Sequence, residues 1–282
     1  MKTYRLKKIS NAVLLALGIA IIFTFVLFAI APSAFAPCDP KFSYEAFLSP
    51  SGEHILGTDN LGYDIFSEIV YATRNTLAEG VLAAVLAMAF GTVFGLIAGY
   101  AKGVAGEALN GIVNFFILIP TLPLAIVVGA YLNGGVLQIT LLVAALAWSG
   151  TARAVRAKVA DVKNSPYIKL LRGMGLSRTR VLFKHILPNV ADVAAAKFIT
   201  TVSSCILLEA TLGFLGAGTS PAATWGVMIS NAYKFGGLAR GAYNWLLVPG
   251  VCITLLELAF YFINTFFERR ASLVRGGGSI LE

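Results

Sequence analysis

The chain has 282 residues, of which 57% are hydrophobic and only 13% charged, against roughly a quarter charged in an ordinary soluble domain. This composition excludes a soluble globular fold and points to an all-α membrane protein. The net charge of +8 does not argue for nucleic acid, because the basic residues sit in loops between apolar runs and form no stripe on a soluble domain.

A bilayer core of about 30 Å needs about 20 apolar residues per helical crossing, and six runs approach that length. Lys2, Arg5, Lys7 and Lys8 precede a charge-free run over residues 12–31, so the positive-inside rule places the N-terminus in the cytoplasm and sends the first span outward. Ala34-Phe35-Ala36 resembles a signal-peptidase site. The run before it exceeds the roughly 7–15 residues of a signal-peptide core, so an uncleaved anchor is expected. Residues 33–75 form an acidic extracytoplasmic segment punctuated by Pro37, Pro40, Pro50, Gly52, Gly57 and Gly62.

The remaining spans are expected at 80–100, 111–132, 134–152, 190–216 and 244–267, with a kink in the third at Pro120 and Pro123. The divisions are then 1–32 for the cytoplasmic N-terminus and first span, 33–75 outside, 76–268 for a five-helix core with a cytoplasmic loop at 153–189, and 269–282 for a cytoplasmic tail. Of the 22 Lys and Arg, only Lys41, Arg74, Lys234 and Arg240 fall outside in this topology, with Lys197 near the inner end of the fifth span. Both termini are cytoplasmic. The Gly276-Gly277-Gly278-Ser279 tail has flexible-linker composition.

Residues 164–189, NSPYIKLLRGMGLSRTRVLFKHILPN, stand apart as a compact charged handle. Ser165 can cap a helix with Pro166 at its first position, and Gly175 can end it. Ile168, Leu171 and Met174 give that helix an apolar stripe, with Leu170 beside it. Ser177 can cap a second short helix carrying Val181, Leu182, Ile186 and Leu187, which Pro188 is expected to end. Lys169, Arg172, Arg178, Arg180 and Lys184 occur without an acidic residue. The positive face suits an acidic groove on a protein or an anionic lipid surface.

Glu209 and Glu257 lie within spans five and six, where an ionisable group is costly enough to suggest proton relay or substrate contact, or a carboxyl hydrogen-bonded between helices. Glu79 is expected at an interface. Gly91, Gly95 and Gly99 recur at the four-residue spacing that lets helices approach closely. No GxxxxGK[ST] loop is present, so ATP is not bound in a P-loop of this chain. The two histidines, His54 and His185, lie outside the spans and leave Ser203, Ser204 and Ser220 without a base for hydrolysis. No metal-ligand spacing appears. Cys205 and Cys252 lie in spans and Cys38 faces outside, too few and scattered for a disulfide framework.

The handle resembles the EAA loop of ABC-importer permeases. Lys169-Leu170-Leu171, Gly175 and Ile186-Leu187-Pro188 occupy the places of its E-A-A, glycine and I-x-L-P positions, with lysine and leucines replacing the acid and alanines. Leu56-Gly57-Thr58-Asp59 with Leu61, Gly62 and Asp64, and Leu208-Glu209-Ala210 through Phe214-Leu215-Gly216 with Pro221, Trp225 and Gly226, resemble the C-type subunit of the dipeptide/oligopeptide/nickel subfamily. Tyr63 stands where arginine is usual.

The resemblance implies a six-helix type I importer permease, not catalytic by itself, supplying half of a peptide pathway. It implies a B-type membrane subunit, two ABC ATPases carrying ATP and Mg, an extracytoplasmic solute-binding protein and membrane lipid as partners. No cofactor is expected on this chain. ATPase coupling would fall to Tyr167, Lys169, Leu170, Leu171, Arg172, Gly175, Ser177, Arg178, Ile186 and Pro188, and the pathway to Glu209, Phe214 and Glu257. Gly57, Asp59, Gly62 and Asp64 would form the external-loop motif. The competing expectations are a proton-coupled secondary transporter using Glu209 and Glu257, and a purely structural membrane anchor.

Overall fold

The computed structural model describes residues 2–39, 42–132, 135–216 and 223–277, with side chains placed from residue 12 to residue 268. Pro40, Lys41, Gly134, Ser220, Pro221, the tail from Gly278 and the side chains of the terminal basic residues lie outside the described residues. The elements are helical: α1 (Lys2–Ile30), α2 (Pro32–Phe35), α3 (Ile65–Tyr100), α4 (Gly103–Leu118), α5 (Thr121–Ala130), α6 (Val136–Asn164), α7 (Pro166–Gly173), α8 (Arg178–Arg180), a π-helical turn (Val181–Ile186), α9 (Leu187–Leu215), α10 (Trp225–Lys234) and α11 (Tyr243–Gly277). Five helical stretches are long and apolar enough to cross a bilayer, and the bent pair α4 and α5 makes a sixth if it counts as one span.

Three boundaries differ from the sequence expectation. The second span begins at Ile65 and not at residue 80, because Asp64 caps α3 by accepting from the Ser67 N–H and no glycine or proline interrupts the next turns. Residues 65–75 are therefore helical, and Glu79 is a buried residue of α3, 3% exposed, where an interfacial position was expected. The fourth span runs on to Asn164, so residues 153–164 of the expected loop are helix, held by the buried pair Val155 and Val159. The helix stops where Ser165 turns extended ahead of Pro166.

The third difference is at the prolines. α4 and α5 meet at 83°, a break sharper than a kink. Ile119 and Pro120 are both extended there, and Pro120 withholds a backbone donor. Pro123 costs nothing, since it falls in the first turn of α5, where N–H groups lack helical partners.

α3 is the central helix, packed on α6 and α9, while α1 lies against α11 and α3. Gly91, Gly95 and Gly99 make the α3–α6 contact possible. A Cβ at Gly91 would sit 2.6 Å from the Trp148 carbonyl oxygen, and one at Gly95 would sit 2.5 Å from that of Ala152. Beside them Trp148 meets Phe94, Phe90 and Phe116 edge-on at 4.9, 5.0 and 5.1 Å between centroids.

Trp225 ties α10 into the same body. Its N–H donates to Thr76 Oγ1 at 3.1 Å, its Nε1–H donates to the Ile69 carbonyl at 3.2 Å, and its ring meets Phe25 at 5.0 Å. Gly226 follows because its Cα passes so close to α9 that a Cβ would stand 2.3 Å from the Ala210 oxygen. The motif through Leu208-Glu209-Ala210 and Trp225-Gly226 is thus a packing lock between α9, α10 and α3.

Candidate functional site

The handle folds as a braced elbow. Ser165 Oγ accepts from the Ile168 N–H at 3.4 Å, Pro166 occupies the first position of α7, and Gly175 has φ +82° as its punctuation required. The Gly175 N–H donates to the Arg172 carbonyl at 3.1 Å and the Leu176 N–H to that of Leu171 at 3.3 Å. That pair of bonds is a Schellman cap, and it needs the left-handed residue in its middle. Ser177 then caps the next turn through the Arg180 N–H at 3.4 Å.

The second handle helix is not a separate one. The chain passes from α8 through the π turn at Val181–Ile186 directly into α9. Pro188 does not end a helix: it sits in the first turn of α9, and the preceding π turn accommodates its missing N–H. The elbow is accordingly a short helix joined by a glycine turn to the end of a long membrane helix.

A core of its own holds the elbow down. Ile168, Val181, Ile186 and Val190 are fully buried against Leu96 of α3 and Val155 and Val159 of α6, with Leu171, Leu176 and Leu187 packed around them. Polar ties reinforce it. Arg172 donates to the Tyr100 hydroxyl at 3.0 Å, and Lys163 Nζ donates to the Gly99 carbonyl at 2.7 Å, satisfying an orphan oxygen at the end of α3. The Tyr167 hydroxyl and His185 Nδ1 are 2.8 Å apart.

What remains outward is mixed. Tyr167, Leu170, Met174 and Phe183 are 53%, 65%, 69% and 57% exposed. Lys169, Arg178, Arg180, Lys184 and Pro188 are exposed beside them. Met174, expected in the buried stripe with Ile168 and Leu171, lies on the outward side with Leu170, because Gly173 ends α7 before another turn can bring it inward. Sequence reasoning missed Tyr100, Lys163 and Phe183; Tyr100 serves the elbow from the distant end of α3, and Lys163 ties the end of α6 to that same helix end, neither with a local signal.

At the other end of α3, the segment containing Gly57, Asp59, Gly62 and Asp64 is a cross-braced loop. Gly57 and Gly62 have φ of +84° and +82°, and a Cβ there would stand 2.4 Å from the Leu48 oxygen and 2.1 Å from the Tyr44 oxygen. Asp59 Oδ1 accepts from the Leu61 and Tyr63 N–H groups at 2.8 and 2.7 Å. Burial pushes its carboxyl above the usual range, against the opposing pull of these backbone donors. Thr58 Oγ1 donates to the Glu45 carbonyl at 2.7 Å and accepts from the Leu48 N–H at 2.8 Å. Asp64 binds the Ser67 hydroxyl at 2.7 Å through Oδ2, and Oδ1 lies 3.0 Å from His54 Nδ1. Although the sequence shows no metal-ligand spacing, the fold gathers Cys38, His54 and Asp64 with ligating atoms within 4.8 Å.

Between the two ends lie the intramembrane carboxylates. Glu209 of α9 is 3% exposed, and Glu257 of α11 accepts from the Ser203 hydroxyl of α9. Phe214 is 40% exposed near the end of α9 and meets Tyr233 of α10 at 6.4 Å between centroids. None of these three lines the cleft of about 370 Å³ that α5, α6 and α9 enclose. That cleft is walled by hydroxyl-bearing residues, four leucines, Ala147, Gly150 and one cation.

Residues 91–273, which hold the α3–α6 contact, the elbow, the cleft and most of α11, match the profile of the binding-protein-dependent transport system inner membrane component. The chain belongs to this family. Its relatives match over about four-fifths of their length. It is 35% identical to the dipeptide transport system permease protein DppC of Haemophilus influenzae, over 86% of this chain and 85% of the relative. It is 34% identical to the oligopeptide transport system permease protein OppC of Bacillus subtilis, over 84% and 79%. It is also 34% identical to the glutathione transport system permease protein GsiD of Pectobacterium atrosepticum, over 84% and 80%. As a member of the binding-protein-dependent inner membrane components, this chain is a multi-pass membrane permease subunit of the type I fold.

Proposed function

We propose that this chain is one half of the membrane pathway of an ATP-driven peptide importer, coupled to a cytoplasmic ATPase through its elbow. The observation that carries the reading is the elbow's division into two faces. Ile168, Val181 and Ile186 bind it to α3, α6 and α9, while Tyr167, Leu170, Met174 and Phe183 are left without cover amid basic side chains. A uniformly basic helix on lipid would not need a Schellman turn and a private core. A lever does, because a push on its outer face must reach the membrane helices undiminished.

The resemblance implies the rest of the assembly: a B-type membrane partner, two ATPases binding ATP and Mg, and a soluble binding protein at the Asp64 end of α3. Closure of the ATPases would shift the elbow between two positions, and the continuous π turn and α9 would carry the shift to the cleft. Of the expected coupling residues, Tyr167, Lys169, Leu170 and Arg178 are assigned to contact. Leu171, Arg172, Gly175, Ser177, Ile186 and Pro188 are assigned to shaping the lever. Glu209 and Glu257 are assigned to joining the helices behind the cleft, and Phe214 to its outer margin.

The test is co-purification of the chain with a cytosolic ATPase from its own cells. Leu170→Asp with Met174→Asp is expected to weaken capture by at least about tenfold, as loss of a central contact does. Insertion in the membrane is expected to be normal. Undiminished capture, or uptake driven by a pH gradient without ATP, overturns the reading.

A further inference from the structure

The cleft between α5, α6 and α9 has a polarity that neither the family nor its relatives assign. The polar part of its α9 wall is Lys197, Thr200, Thr201, Ser204 and Thr211, positions three, four and seven apart on one helix face, with Leu207 and Leu208 between the last two. Thr151 of α6 stands opposite, its hydroxyl 3.5 Å from that of Thr201. No acidic residue lines the cleft, and Lys197 makes no ion pair among the described residues.

Depth makes this face informative. Lys197 is ten residues into α9, about 15 Å from its start at 1.5 Å per residue, toward the inner end of the fifth span and on the wall of the cleft. An ammonium turned to lipid at that depth is costly, so the face is turned to water or to a second subunit. The hydroxyl protons are already committed. Thr200 and Thr201 both donate to the Lys197 carbonyl at 2.9 Å, Ser204 to that of Thr200 at 2.9 Å, and Thr211 to that of Leu207 at 2.7 Å. Their oxygens remain as acceptors along the wall, and the strong donor of the α9 wall is the Lys197 ammonium.

We propose that Lys197 is an anion station in this cleft, which takes the carboxylate of the passing substrate while the Thr and Ser oxygens accept its N–H and ammonium groups. The proposal rests on the pathway reading above and adds the residue and the charge that it selects. An ammonium among neutral hydroxyls binds a carboxylate without the lock that a fork of paired guanidinium donors would impose, which suits passage more than storage.

Two measurements on the intact transporter in membrane vesicles test it. In a chain whose native cysteines are replaced, Ser204→Cys is treated with an anionic and a cationic thiosulfonate of similar size. The anionic reagent is expected to react faster by on the order of tenfold, and the preference to vanish with Lys197→Gln and return with Lys197→Arg. A thiol that reacts with neither reagent, or a preference that does not depend on Lys197, overturns the anion station whatever the transporter carries.

In the second measurement, uptake of a dipeptide is expected to fall about tenfold in Lys197→Gln while stimulation of ATP hydrolysis by the binding protein persists. Uptake unchanged in Lys197→Gln overturns the substrate clause. Loss of the stimulated hydrolysis together with uptake counts against it too, since the lysine would then serve coupling. Absence of ATP-dependent uptake in the unaltered chain is a failure of the importer reading and is visible before any variant is made.

Discussion

Gly175 shows how one backbone angle shapes the elbow. Its φ of +82° closes the Schellman cap, yet a Cβ there would meet nothing within 4 Å, so the constraint is conformational and not steric. A β-branched residue pays roughly 1–2 kcal/mol to hold a left-handed angle, whereas asparagine tolerates it. Gly175→Val is therefore expected to insert normally but to lose at least about tenfold in ATP-driven uptake, with Gly175→Asn close to the unaltered protein. Normal uptake by Gly175→Val would show that the elbow's shape is not what couples. The positive φ was legible because a glycine between two capping serines has few other uses. Arg172 was not. It reads as one more cation of the handle, and only the fold shows it spent on Tyr100, 72 positions earlier in the chain.

At the scale of elements, the α3–α6 pair is the joint through which the elbow is seated. Three glycines let it close, and Gly95 faces the Ala152 carbonyl where a Cβ would come to 2.5 Å. Backbone cannot step aside as a flexible side chain can. Gly95→Leu is expected to destabilise the detergent-solubilised protein by about 1–3 kcal/mol, read as a lower thermal midpoint, whereas an equal change at Gly111, where nothing lies within 4 Å, leaves the midpoint in place. The four-residue glycine spacing announced this joint in the sequence. The boundaries of the helices were less legible, since hydropathy marks where a segment is oily and not where its hydrogen bonds stop. α3 starts at a polar cap, Asp64, and α6 ends at an extended serine, Ser165, both beyond the apolar runs. Pro188 misled for a related reason: a proline ends one helix or opens the next with equal ease, and the π turn before it decides.

For the whole molecule, the distribution of Lys and Arg is the ground on which we propose that the elbow faces the cytoplasm and the Asp64 end faces outside. A membrane-impermeant thiol reagent applied to intact cells is expected to label Ser43→Cys and to leave Thr179→Cys untouched until the membrane is opened, both sites being exposed. The reverse pattern would invert the assignment and remove the elbow from any cytosolic motor. The architecture was readable from composition and spacing. The cleft was not, because its hydroxyls are scattered over α5, α6 and α9 and become one surface only when those helices meet.

The length of α3 has a consequence of its own. At 36 residues it measures about 54 Å, well over the thickness of the hydrocarbon it crosses. One tip is pinned by the Asp64 brace, and the other by Tyr100 to the elbow and by Lys163 to the end of α6. A stiff beam clamped at both tips has no slack in which to lose a small rotation. On the importer reading proposed above, such a beam would hold a partner docked at one surface of the membrane in mechanical register with one at the other, without a relay of side chains.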